Sequence, residues 1–257
     1  MVTVAPPVPA DYPGCPVTVT EAIARGRTLV PPRWGLWGVF WALIATVFIG
    51  AGVGGMLYFA DAPLAAQVLI GTTTPWLALA GWPIIATRWR GNGPVIDLGL
   101  SLTWRDAGWG ALGGLAAIVC AATAAAITTH FAPDLSSTAG DAGDELVKDG
   151  NRFVVVLFAL VVMVFAPIVE ELFFRGLFFA ALRKRGFSAL VTVLISGVVF
   201  AGFHFEPVRF FVLLPTGLIL GLVRAKTGST GASMLAHGLV NAPGALLFLL
   251  GTPGMSP

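Results

Sequence analysis

Three ionisable side chains lie within two helical turns of a strongly apolar segment: Glu170, Glu171 and Arg175. An ionised residue near the centre of a bilayer costs roughly 2.5–3.5 kcal/mol on insertion scales. The three together therefore cost about 8–10 kcal/mol if nothing compensates them. Such a group is retained only when its members pair, face a water-filled cavity or carry out a function.

The spacing of these residues predicts which of them pair. Glu171 and Arg175 stand four residues apart with the acid first, the favoured order for an ion pair on one helix face. Glu170 points about 100° away and has no basic residue in reach on its own helix. An unpaired carboxyl in an apolar site can exchange a proton near neutral pH, as a general base must. Glu171 and Arg175 would then support Glu170, although a purely structural charge network is the alternative for this pair.

Further polar residues follow in later apolar segments. His204 stands late in one of them, and His237 and Asn241 are four residues apart in another, so those two share a helix face. The third histidine, His130, falls at the end of an apolar segment beside a polar loop and fits an interfacial position.

This set of side chains suits peptide hydrolysis, which needs an activated water and hydrogen-bond donors for the oxyanion. We predict that Glu170 takes a proton from a water that His204 helps to hold. His237 and Asn241 are predicted to donate to the oxyanion from one helix face.

The same residue types could also bind a metal ion. Glu170, His204 and His237 would form the two-histidine, one-glutamate ligand set that catalytic zinc uses. The HExxH motif is absent, however, and each ligand would come from a different helix. The sequence therefore favours no cofactor, with Zn2+ at these three residues as the alternative.

The composition indicates a membrane environment for this chemistry. Of the 257 residues, 56% are hydrophobic and only 11% are charged, whereas soluble domains carry about a quarter charged residues. A net charge of +2, without basic clusters that alternate with aromatic residues, excludes nucleic acid as a partner.

Several apolar runs are long enough for helices to cross the roughly 30 Å of hydrocarbon in a bilayer. We predict an all-α polytopic bundle with about seven transmembrane helices, in a range of six to eight. The predicted segments cover residues 36–60, 67–87, 108–131, 153–182, 188–206, 208–224 and 231–250.

The distribution of basic residues predicts the orientation of this bundle. With the N-terminus in the cytoplasm, 11 of the 15 basic residues face inward, 3 face outward and Arg175 lies within the membrane. Residues 1–35, polar and rich in proline, are predicted to form a disordered or polyproline-like cytoplasmic tail. Residues 36–252 are predicted to form the membrane domain, and we expect it to lie in the plasma membrane.

Three motifs stand in order along the chain: Glu-Glu-x-x-x-Arg at 170–175, Phe-x-x-x-His at 200–204 and His-x-x-x-Asn at 237–241. Together they resemble the motifs of the CPBP family, which includes type II CAAX prenyl endopeptidases and bacterial Abi or bacteriocin-processing proteins. The resemblance covers about residues 150–250, including a linker at 217–231 that contains Arg224.

This resemblance implies an intramembrane endopeptidase whose residues have the roles given above. Members are described as metalloproteases, and glutamate-based catalysis without metal is also proposed for them. The family suggests two substrates, a prenylated C-terminus or a peptide precursor, and the sequence does not choose between them.

Other functions compete with this interpretation. A non-catalytic immunity or scaffold protein is the main alternative, and a proton-coupled transporter is a weaker one, because intramembrane Glu and His also build proton relays. A serine protease using Ser233 or Ser196 would leave both glutamates without a role. An aspartyl protease is rejected because Asp141 and Asp144 lie in a polar loop.

Overall fold

A computed structural model describes residues 17–133 and 136–251 of the chain, and these residues form helices without any β-strand. The α-helices are α1 Val17–Ala24, α2 Leu36–Phe59, α3 Leu64–Thr73, α4 Trp76–Leu79, α5 Gly81–Arg90, α6 Pro94–Asp97, α7 Trp104–Phe131, α8 Thr138–Asp149, α9 Arg152–Leu160, α10 Ala166–Glu171, α11 Phe179–Lys184, α12 Ala189–Gly202, α13 Phe210–Thr227 and α14 Thr230–Leu250. Two π-helical segments, Val161–Phe165 and Leu172–Phe178, join α9, α10 and α11.

The prediction of an all-α bundle with about seven transmembrane helices is confirmed. Within the described residues, six helical stretches are long and apolar enough to cross a membrane, namely 36–59, 64–90, 104–131, 152–184, 210–227 and 230–250. The seventh apolar helix, α12, has 14 residues. At 1.5 Å per residue it is about 21 Å long, shorter than the roughly 30 Å hydrocarbon layer.

The tail differs from its prediction where the structure describes it. Residues 17–24 form α1, whereas the sequence favours a disordered or polyproline-like chain, and residues 1–16 lie outside the described residues. Val19, Ala22 and Leu29 bury their side chains with Ile96 of α6, and this small apolar cluster favours local order. The division of the chain after residue 35 stays a prediction.

The polar loop at 132–152 contains a helix of its own. The Ser137 hydroxyl accepts from the amide of Gly140 at the start of α8, and Gly150 closes the helix in the left-handed conformation at φ 79°. Glu206, from the loop between α12 and α13, accepts from the amide of Thr138 at 2.7 Å. This contact ties α8 to the loop that follows His204.

One continuous helix, residues 152–184, carries the Glu-Glu-x-x-x-Arg motif. It alternates between α and π winding, so that α10 is a six-residue α segment with a π segment on each side. π segments are rare and occur frequently at functional sites, because they change the direction in which side chains point. Glu170 and Glu171 are the last two residues of α10.

Glycines allow α7 to approach α14 closely. Gly110, Gly113 and Gly114 are buried in the first half of α7 and form a small-residue face of the kind that packs membrane helices. A methyl group on Gly110 would lie 2.7 Å from the carbonyl oxygen of Ala232, and one on Gly114 would lie 3.0 Å from that of Ala236. Because α14 also carries His237, this contact fixes one wall of the site.

We predict that Gly110→Ala lowers the melting temperature in detergent, by an amount corresponding to about 1–3 kcal/mol for an overpacked contact. Gly108→Ala is the matched control on the same helix, because a methyl group there would contact nothing within 4 Å. If Gly110→Ala has the same melting temperature as the Gly108→Ala control, α7 and α14 do not pack as described.

Candidate active site

The carboxylate of Glu171 lies at the centre of the buried polar cluster. Its Oε1 accepts from the Nη1 of Arg175 at 2.8 Å and faces the Nδ1 of His237 at 3.0 Å. The side chains of Glu171 and Arg175 are both fully buried, and that of His237 is 6% exposed. The predicted ion pair of Glu171 and Arg175 therefore forms, and it also contacts the helix that carries His237.

Arg175 is held by a third helix. Its Nη2 donates to the carbonyl oxygen of Gly217 in α13 at 2.7 Å, and its guanidinium stacks 4.6 Å from the centre of the Phe200 ring. Gly217 and Gly197 are in close contact, since a methyl group on Gly217 would lie 3.0 Å from the Gly197 carbonyl. The crossing of α12 and α13 thus presents this carbonyl to the buried cation.

Glu170 faces the two histidines. Its Oε2 lies 4.0 Å from the Nε2 of His204 and 4.0 Å from the Nε2 of His237. No residue in the described part of the chain hydrogen-bonds this oxygen. The side chains of Glu170 and His204 are 20% and 28% exposed, although Oε2 itself is buried, whereas the side chains of Glu171 and Arg175 are fully buried.

His204 lies just beyond the end of α12, not within it. Its Nδ1 is 2.8 Å from the carbonyl oxygen of Phe200, and the next residue, Phe205, turns the chain sharply with φ at 56°. A positive φ is uncommon for a bulky residue and is typical of functional sites. The short α12 followed by this turn brings the imidazole to Glu170.

The hydrogen bonds of the two imidazoles assign their tautomers. A carbonyl oxygen only accepts, so His204 carries a hydrogen on Nδ1. The Glu171 carboxylate, paired with Arg175, also accepts from Nδ1 of His237. In the neutral form of either ring, Nε2 is therefore the unprotonated nitrogen, and both Nε2 atoms point at Glu170.

Asn241 is held differently from the other predicted site residues. It follows His237 by one turn of α14, and its Nδ2 donates to the carbonyl oxygen of Val162 in the first π segment at 2.9 Å. One of its two amide hydrogens is thus used to join two helices. The second hydrogen is the one that could serve a substrate.

The distances between Glu170 and the two imidazoles differ from those between the ligands of a bound zinc ion. Tetrahedral zinc with bonds of about 2.0–2.1 Å brings its ligand atoms to about 3.4 Å from one another, whereas Glu170 Oε2 lies 4.0 Å from each Nε2. Within the described residues, no group of three or more His, Cys, Asp or Glu is arranged to hold a metal ion.

Ser233 and Ser196, the candidate nucleophiles of a serine protease, form hydrogen bonds with backbone carbonyls. The Ser233 hydroxyl donates to the carbonyl of Leu220, and the Ser196 hydroxyl donates to that of Val193. Both serines are fully buried. Neither hydroxyl is directed at His237, although Ser233 precedes that histidine by four residues.

Three contacts of the site were not predicted from the sequence. Phe200 packs its ring against both imidazoles, at 4.9 Å from His204 and 5.6 Å from His237. Gly217 supplies a backbone carbonyl, which no side-chain pattern reveals. Arg224 lies in the resembling linker, but its contact with the backbone of Arg175 required the fold.

A family model described as type II CAAX prenyl endopeptidase Rce1-like matches residues 152–243, which include every predicted site residue. This match confirms the resemblance that the three motifs indicate and supports a membrane protease as the general class. No curated protein and no solved structure matches the chain.

We predict that Glu171→Gln destabilises the protein by about 3 kcal/mol, because it leaves the buried Arg175 without its counter-charge. Glu21→Gln is the control, since Glu21 forms an exposed i, i+4 pair with Arg25 at 3.7 Å and such pairs contribute little. Thermal unfolding in detergent measures both. Adding Arg175→Met to Glu171→Gln should restore part of the loss, and equal melting of Glu171→Gln and wild type would contradict the buried pair.

Proposed function

Because residues 152–243 carry an Rce1-like domain, we propose that this chain is an intramembrane endopeptidase that hydrolyses a peptide bond in a membrane-associated protein or peptide. Glu170 and His204 activate the water, and His237 and Asn241 stabilise the oxyanion. The observation that carries the proposal is the approach of both imidazole Nε2 atoms to one carboxylate oxygen, at 4.0 Å each.

Water activation follows from the spacing of Glu170 and His204. A water that donates one hydrogen to each acceptor needs the acceptors about 4.4 Å apart, given hydrogen bonds of about 2.8 Å and the angle of water itself. The distance of 4.0 Å between Oε2 and Nε2 is close to this value. The water oxygen attacks the substrate carbonyl carbon as its proton passes to Glu170.

Oxyanion stabilisation requires a hydrogen on Nε2 of His237. Since Nδ1 already donates to Glu171, the ring can donate from Nε2 only when it carries a second proton, as imidazolium. The second amide hydrogen of Asn241 is the other donor. When the tetrahedral intermediate collapses, the C–N bond breaks and the proton held by Glu170 passes to the leaving amine.

The division between the two carboxylates supports a glutamate-type mechanism. Glu171 is paired with Arg175 and contacts His237, whereas Glu170 forms no ion pair with an arginine or lysine among the described residues, and its side chain is 20% exposed. A general base must be able to take a proton, so the unpaired carboxylate is the better base. We propose that the enzyme uses no resident metal ion, so that a strong chelator should leave its activity intact.

The substrate is proposed to reach the site from the membrane. The chain has long apolar helices around a partly exposed polar site, which suits a segment that is itself embedded in the bilayer. Two substrate classes fit: the prenylated C-terminus of a protein, and a secreted peptide precursor. Paired peptides with and without a prenyl group distinguish them.

We propose that the enzyme lies in the plasma membrane with its N-terminus in the cytoplasm. Single cysteines replacing Arg185 and Lys148, in a protein lacking both native cysteines, test the orientation. A membrane-impermeant thiol reagent applied to intact cells should label position 148 and spare position 185. The reverse labelling pattern would show that the bundle has the opposite orientation in the membrane.

We predict that Glu170→Gln abolishes peptide cleavage by the purified protein while leaving its melting temperature unchanged, because the shape is kept and the base is lost. Glu145→Gln, an exposed carboxyl on α8, is the control and should cleave normally. A strong chelator should not inhibit the wild type. Loss of cleavage on chelation, restored by Zn2+, would establish the zinc version at Glu170, His204 and His237.

Other outcomes identify the competing functions. A folded wild type that cleaves neither prenylated nor unprenylated peptides, with a cellular phenotype that survives Glu170→Gln and His204→Ala, would indicate a binding protein. Proton flux in liposomes that depends on Glu170 would indicate a transporter.

A further inference from the structure

Arg224 is a buried cation for which the proposed chemistry has no use. Its side chain lies in α13 and only 4% of the residue is exposed. In the parts of the chain that the structure describes, at 17–133 and 136–251, Arg224 forms no ion pair with a carboxylate. A buried charge without a counter-charge is costly, more so in a membrane, and such residues are retained for a purpose.

The contacts of Arg224 lead to the carboxylate cluster. Its Nε donates to the backbone carbonyl of Arg175 at 2.9 Å, and its guanidinium lies 5.4 Å from the centre of the Phe179 ring. Gly217, which accepts from the side chain of Arg175, precedes Arg224 by seven residues. Seven residues are two helical turns, so one face of α13 holds Arg175 by both its backbone and its side chain.

The carbonyl that Arg224 binds belongs to the second π segment. On the other side of α10, the carbonyl of Val162 in the first π segment binds the side chain of Asn241. Each π segment is therefore fixed to a neighbouring helix by one polar side chain. Glu170 and Glu171 lie between the two π segments. The two hydrogen bonds therefore fix the direction in which their side chains point.

We propose that Arg224 is a positioning residue: by holding the backbone of Arg175, it keeps that guanidinium on Glu171 and, through Glu171, orients the imidazole of His237. The kinetic part of the test rests on the proposed function. Arg224 itself contacts neither substrate nor reacting atoms in this role.

The hydrogen bond from Nε, and not the charge, is the element that positions Arg175. Glutamine carries its amide nitrogen at the same place along the side chain as the Nε of arginine, so Arg224→Gln keeps the donor without the charge. Arg224→Met keeps the length and the apolar stem but donates nothing. The two variants therefore separate the hydrogen bond from the cation.

The experiment measures peptide cleavage in detergent for both variants. Arg224→Met should lower kcat by about 10²-fold, the effect of a small misplacement of catalytic groups, with KM unchanged. Arg224→Gln should retain most of the activity. Lys226→Met is the control, because Lys226 is an exposed cation near the same end of α13 that stacks on Trp109, and it should cleave normally.

A second measurement is independent of cleavage. The chain has three histidines, so protein labelled with 15N in its imidazole rings gives three ring environments by NMR. Arg224→Met should shift the Nδ1 signal of His237, which reports the hydrogen bond to Glu171, and leave that of His130 in place. Arg224→Gln should reproduce the wild-type signal of His237.

Each other outcome overturns the inference. An unchanged His237 signal in folded Arg224→Met would show that Arg224 does not orient this ring. A rise in KM at constant kcat, equal in the Met and Gln variants, would make the cation a substrate contact instead. If the wild type cleaves nothing, the proposed function fails, and the NMR comparison still decides whether Arg224 positions His237. If Arg224→Met does not fold, a His237 signal in Arg224→Gln that differs from that of the wild type would contradict the inference.

Discussion

One carboxylate oxygen, Oε1 of Glu171, is shared between a guanidinium and an imidazole in a fully dry environment. In such an environment each charge costs several kcal/mol to bury, and only close pairing with good geometry offsets the cost. The pairing therefore fixes the distance between the long helix 152–184 and α14. The close contacts of α7 with α14, and of α12 with α13, bring the partner groups to this oxygen from the surrounding helices.

Adjacent glutamates have opposite environments because a helix turns about 100° per residue. Glu171 faces the dry interior and its charge is balanced. Glu170 faces the Nε2 atoms of His204 and His237 on the partly exposed side, and it forms no ion pair with an arginine or lysine among the described residues. The same rotation that separates the two carboxylates suits Glu171 to the supporting role, and Glu170 to the catalytic role, that we propose for them. No difference in residue type is needed.

Much of this arrangement could be predicted from the sequence, since apolar runs give the bundle and i, i+4 spacing gives the pair of Glu171 and Arg175. The two π segments were not predicted, because apolar residue types do not distinguish π winding from α winding. The bond from Asn241 to the carbonyl of Val162, which lies in the first π segment, was therefore missed as well. The helix α1 was missed because tertiary contacts with Ile96 outweigh a weak local propensity.

The π segments also give the long helix a fixed phase. Each is equivalent to one residue beyond regular α winding, and one residue corresponds to a rotation of about 100° and a rise of 1.5 Å. Deleting a residue from Leu172–Phe178 would restore regular winding there and keep the flanking α segments in phase, but it would move the residues inside the π segment, Arg175 among them. The length of chain between the carboxylates and Lys184 is thus constrained together with the identity of its buried residues.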